Sequence, residues 1–170
     1  MNMSLEKVFN PRSVAVIGAS EVPGKAAERR TRSLLEGGFD GDVYLINPKR
    51  SELFGRKAYP SITDVGKEVD LAMVVIAPGF LVSAVADSVK MGVKGIIIIT
   101  AGLGETGEEG REIEAEILKE AAKTGVCVIG PNCSGMFSAS VNMIEQHSRV
   151  CTLWRRSELS GLPRCRLRGF

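Results

Sequence analysis

Apolar residues along this chain fall into short unbroken runs, and between the runs they recur every three or four positions. Ser13 to Gly18 (SVAVIG) is the first run, bounded by Pro11 and a glycine. Asp42 to Ile46 (DVYLI), Asp70 to Ile76 (DLAMVVI), Gly95 to Thr100 (GIIIIT) and Val126 to Ile129 follow. Runs of this length, rich in β-branched residues and closed by Gly, Pro or Asn, read as strands buried on both faces. Helical spacing fills the gaps, from about Lys25 to Glu36, from Phe80 to Met91 and from Glu108 to Lys123. In the second helix Leu81, Val85 and Val89 form the apolar stripe; in the third Ile113, Ile117 and Ala121 do. Ser61-Ile62-Thr63-Asp64 has the form of a capping box opening a short helix.

Strand and helix thus alternate, which implies βαβ units with right-handed crossovers. The expected fold class is α/β: a Rossmann-like parallel sheet with helices on both faces, in a single domain over residues 1–142. From Met143 onward neither period continues. Residues 143–170 read as an atypical, Arg-rich tail, irregular or out of family: a disordered extension, a basic arm, or the product of a disrupted reading frame.

Composition narrows the class. The chain has 170 residues, 44% hydrophobic and 5% aromatic, so an aliphatic core is expected. No apolar stretch reaches the roughly 18 residues of a membrane span, and the first residues lack a secretory signal. A soluble, cytoplasmic protein is expected. Net charge is +2, but residues 1–142 carry 16 Lys and Arg against 18 Asp and Glu, whereas residues 143–170 carry six Arg against two Glu. The body is therefore not a basic nucleic-acid binder. Four scattered cysteines and one histidine, His147, give neither a disulfide framework nor a metal site.

Chemistry concentrates where the first strand ends. There the chain reads Gly18-Ala19-Ser20-Glu21-Val22-Pro23-Gly24-Lys25. Gly18 permits a tight turn and Gly24 a close backbone approach. Ser20 adds a hydroxyl, Lys25 a charge, and the helix N-terminus its N–H groups, a combination suited to a pyrophosphate. An NAD site would end the second strand in Asp or Glu, to hold the ribose hydroxyls. Here the chain reads Asn47-Pro48-Lys49-Arg50. Two cations in place of an acid suit a ribose bearing its own phosphate, as in NADP or coenzyme A.

Five blocks, NPRSVAVIGAS with PGK, LLEGGFDGDVYLINPK, VDLAMVVIAPG, GVKGIIIITAGLGETGEEG and VIGPNCSG, come in an order that resembles a known family. From about Val8 to Asn142 the chain is similar to the N-terminal CoA-binding domain of NDP-forming acyl-CoA synthetases, relatives of the succinyl-CoA synthetase α subunit. The resemblance implies that Gly18, Ala19 and Ser20 cradle CoA phosphates and that Asn47, Pro48 and Lys49 border the phosphorylated ribose. It puts Ala77 and Pro78 beside the adenine and Thr100, Ala101 and Gly102 along the pantetheine arm. Pro131, Asn132 and Gly135 would form the loop near the thiol. One departure from the family is the polar run Ala26-Ala27-Glu28-Arg29-Arg30-Thr31-Arg32, where the family keeps an apolar helix.

The resemblance also implies what is missing: the family's phosphohistidine and ATP-grasp domains have no counterpart here, so no catalytic residue is assigned and the chain is expected to be inactive alone. His147 is read as incidental and Cys133 as a small residue in a turn, since no second histidine could activate it. The expected partners are CoA or acyl-CoA and the remaining synthetase domains or an ATP-grasp subunit. An NADP-binding oxidoreductase fragment and a non-catalytic CoA-sensing regulatory subunit are the alternatives.

Overall fold

The computed structural model of the chain describes residues 6–138, 141 and 143–146. Its centre is β1, Ser13–Ile17, with β2, Asp42–Ile46, on one side and β5, Leu71–Val74, on the other, all parallel. Beyond β5 lie β6, Gly95–Ile98, and β7, Cys127–Ile129, also parallel. Beyond β2 lies β4, Arg56–Tyr59, and at that edge β3, Glu52–Leu53, runs antiparallel to it. The seven-stranded sheet therefore has the order β3-β4-β2-β1-β5-β6-β7. The five strands expected from the apolar runs are all present. The β3–β4 pair was not expected: it is short, its exposed positions carry Glu52, Arg56 and Lys57, and only Leu53 and Ala58 are buried.

Alternation along each strand sends its side chains to two cores. Ala15, Ile17, Ala72, Val74, Ile96 and Ile98 meet α3, Leu81–Lys90, and α4, Glu108–Ala122. Val14, Val16, Leu45, Met73 and Ile97 face the opposite way. There they meet Val8 of α1, Glu6–Phe9, and Leu34 of α2, Ala26–Glu36. Both faces are covered by helices, as expected for a doubly covered sheet.

The second face has one more component. β8, Gly135–Ser138, pairs antiparallel with β9, Met143–Gln146, and buries Met136 and Met143 against that core. The domain limit expected at residue 142 thus falls inside a hairpin. Four-residue strands containing Gly135 and Ser138 carry little propensity of their own, so pairing and packing form them rather than local pattern. The rest of the tail, 147–170 with His147, lies outside the described residues.

The same face explains the polar run of α2. Arg30, only 4% exposed, donates through Nη1 to the carbonyl of Ser134 at 2.6 Å. Buried Thr31 donates to the Ala27 carbonyl, and the Glu28 carboxylate receives the Arg32 guanidinium at 2.7 Å. A buried polar group that keeps its hydrogen bonds avoids most of the desolvation cost. Beside the apolar contact of Leu34, the helix is tethered to the residue that leads into the hairpin.

Candidate functional site

In an open parallel sheet, ligands sit beyond the carboxyl ends of the strands where the strand order reverses. Here the reversal lies between β1 and β5, and the loop leaving β1 folds over it. The N–H groups of Gly18 and Ala19 both donate to the carbonyl of Ile46, at 2.9 and 3.2 Å. Gly18 has φ +91°, and a side chain there would run into the Val75 carbonyl and Ile76. Only glycine lets the two strand ends approach this closely.

Asn47 ties this loop to the next. Its Nδ2 donates to the Ala19 carbonyl and its Oδ1 accepts from the Lys49 N–H, both at 2.8 Å. The second contact is an Asx turn with Pro48 inside it, which sets where Lys49 leaves the backbone. The Asn47 amide is thus engaged within the protein. In the β1–α2 turn the Ser20 hydroxyl accepts the Val22 N–H at 3.1 Å, and the Glu21 carboxylate accepts that of Phe54. Arg29 donates to the Gly24 carbonyl at 2.6 Å, closing the turn onto the helix.

Between the ends of β1, β2 and β4 and the first turns of α3 lies a cavity of about 350 Å³. Its walls are aliphatic: Ile17, Ile46, Ile62, Ile76 and Ala84, with Pro48 and Pro60. Phe80 stands at the cavity with 66% of its surface exposed. Four polar side chains line it, those of Lys49, Ser61, Ser83 and Asp87. Ser61 takes part in the expected capping box, with its N–H donating to Asp64 at 3.0 Å and its hydroxyl accepting from Thr63. Ser83 donates to the Phe80 carbonyl at 2.9 Å. The Lys49 ammonium and the Asp87 carboxylate have no side-chain partner among the described residues.

The other half of the rim, over β6 and β7, is stitched to itself. Thr100 donates its hydroxyl proton to the Ile76 carbonyl at 2.7 Å, and the Asn132 N–H donates to the Thr100 carbonyl at 2.9 Å. Glu105 accepts the N–H groups of Gly102, at 2.8 Å, and Leu103, at 3.1 Å, and Asn132 Nδ2 donates to it at 3.3 Å. The backbone donors, Gly102 first, hold the Glu105 carboxyl below the usual range of a glutamate. The Cys133 thiol donates to the Ile98 carbonyl at 3.3 Å.

Of the residues singled out from the sequence, Gly18, Pro48 and Lys49 line the cavity. Ala19, Ser20, Asn47, Ala77 and Pro78 stand on the same loops without lining it, and Arg50 is exposed one position beyond Lys49. Gly24 and Lys25 are exposed at the start of α2, while Thr100, Ala101, Gly102, Pro131 and Asn132 belong to the second half of the rim. Phe80, Ser83 and Asp87 were missed. Their one signal was an aromatic residue directly after the strand-breaking Pro78-Gly79, followed at helical spacing by polar residues.

A family model described as a CoA binding domain matches residues 12–139. The chain is 43% identical over 139 residues to the α subunit of ADP-forming acetate–CoA ligase II of Pyrococcus furiosus, covering 82% of this chain and 30% of that one. It is 40% identical over 136 residues to the ADP-forming 4-hydroxybutyrate–CoA ligase of Nitrosopumilus maritimus, covering 80% of this chain and 19% of the other. Among solved structures it matches a dinucleotide-forming acetyl-coenzyme A synthetase 1 of Ca. Korarchaeum cryptofilum, in complex with phosphate and ADP, with TM-score 0.80 and 38% identity. That match covers 85% of this chain and 31% of the solved one. The chain therefore spans less than a third of the length of each of these relatives.

Proposed function

Because the chain belongs to the family of CoA-binding domains, we propose that it holds coenzyme A for an ADP-forming acyl-CoA ligase of the cytosol, with the cavity beside β1 taking the phosphoadenosine end. The residues fit that group. Aliphatic walls suit a purine, and the Lys49 ammonium at the same cavity suits a phosphate on the ribose. Gly18, Ala19 and Ser20, followed by Gly24, Lys25 and the N–H groups opening α2, would hold the pyrophosphate. Pro48 and Asn47 would set the approach of Lys49, with Arg50 adding positive charge nearby. Ala77 and Pro78 would flank the base.

Thr100, Ala101 and Gly102, joined to Asn132 beside Pro131, would border the pantetheine arm. When bound, the coenzyme supplies the thiol on which an acyl group is carried. What this chain's residues do is bind it, orient it and keep its adenosine end out of water. Phosphoryl transfer and acid activation would be the work of further domains or of a partner subunit of the ATP-grasp type.

One observation carries the reading: a cation with no side-chain partner among the described residues, and no acid, follows the second strand at a mainly apolar cavity. Thermal unfolding with CoA, 3′-dephospho-CoA and NADPH tests it. At a hundredfold excess over Kd a ligand confined to the native state adds about 2.7 kcal/mol. CoA is expected to raise Tm more than the other two at equal concentration. No shift with millimolar CoA, or an equal shift with 3′-dephospho-CoA, would overturn it.

A further inference from the structure

Helix α3 presents Phe80, at its N-cap, and then Ser83, Ala84 and Asp87 to the cavity, one stripe at intervals of three and four. Three of these have an evident role without any ligand: Phe80 begins the helix, Ser83 donates its proton to the Phe80 carbonyl at 2.9 Å, and Ala84 is core. Asp87 has none. Its carboxylate is half-buried on an aliphatic cavity, and no hydrogen bond or ion pair reaches its side chain among the described residues. Lys49, the other charged side chain at this cavity, does not pair with it. A carboxylate at a cavity wall that no protein donor occupies is free to accept a hydrogen bond from a ligand.

We infer that Asp87 reads the exocyclic amino group of the adenine and so selects the base of the bound coenzyme. The inference rests on the cavity taking the adenosine end. An ionised carboxylate only accepts hydrogen bonds. Adenine offers a donor at its six-position, whereas hypoxanthine and guanine carry a carbonyl oxygen there, which the carboxylate repels. Lys49 and Asp87 then divide the recognition between them, the cation taking the sugar phosphate and the anion the base edge.

The experiment is calorimetric titration of wild type, Asp87→Asn and Asp87→Ala with CoA and with deaminated CoA, in which hypoxanthine replaces adenine. Wild type is expected to prefer CoA by about tenfold or more, the usual worth of a charge-assisted hydrogen bond. Asp87→Ala is expected to lose that preference by weakening for CoA alone. Asp87→Asn, whose amide can donate to a carbonyl, is expected to shift the preference toward the deaminated coenzyme. It also keeps the side chain's shape should the alanine variant fold poorly. Equal binding of both coenzymes by wild type, or weakening of both by the same factor in Asp87→Ala, overturns the inference while leaving the CoA reading intact. Wild type binding neither coenzyme overturns the CoA reading, and this one with it.

Discussion

The two halves of the sheet's carboxyl rim are built from the same kinds of residue and treat them in opposite ways. Over β6 and β7 the polar atoms are engaged with one another: Glu105 holds Gly102, Leu103 and Asn132, and Thr100 joins Ile76 to Asn132. Over β1, β2 and α3 two ionised side chains, Lys49 and Asp87, line one cavity with no partner between them. Satisfied groups fix a shape, and unsatisfied ones wait for something to complete them. Substitutions in the first half should therefore register in folding, and substitutions in the second in affinity.

Leu103 tests the folding side. It is fully buried beneath the Glu105 loop, and Leu103→Ala is expected to lower the free energy of unfolding by about 3 kcal/mol, measured by urea denaturation. A loss under about 1 kcal/mol would show that this half is not a folding element. Lys49 tests the other side. Lys49→Ala is expected to weaken CoA about tenfold while leaving 3′-dephospho-CoA and the urea midpoint nearly unchanged, because the side chain is exposed and unpaired. A fall in stability without a fall in affinity would reverse the assignment.

The smallest effect is one of pH. Glu105, held below its ordinary value of 4.5, contributes stability that is complete above that value and is lost as pH falls through the lower folded one. Unfolding curves from pH 6 downward should show a slope in wild type that flattens in Glu105→Gln. The carboxylate is exposed, so solvent screening keeps the effect modest. Parallel curves for the two proteins would remove Glu105 from the account.

How far the sequence foretold this depends on whether an element is stabilised locally. Strands β1, β2, β5, β6 and β7 are legible as short apolar runs, most plainly where burial on both faces demands apolar residues throughout, as in Ile96, Ile97 and Ile98. The β3–β4 and β8–β9 pairs are not, since Glu52, Arg56 and Gly135 give no period and the strands exist by pairing. In the site, Gly18 and Lys49 were legible because a strand end followed by a glycine or a cation is a pattern along the chain. Asp87 was not. On α3 the sequence displays the apolar stripe of Leu81, Val85 and Val89, and a polar residue off that stripe reads as solvated until the fold shows a cavity beside it. The polar run of α2 stands in the sequence only as a departure from the family. Its explanation, the Ser134 carbonyl, stands 104 residues away from Arg30.

That separation has a consequence for the order of events during synthesis. The face built on α3 and α4 draws its buried core from residues 15 to 126, with Val128 packed against it. The opposite face waits for Met136 and Met143, and the guanidinium of Arg30 waits for Ser134. While the nascent chain lengthens, the helix that follows the first strand has its scaffold beneath it but no cap above. Its last anchor arrives near the end of the described chain.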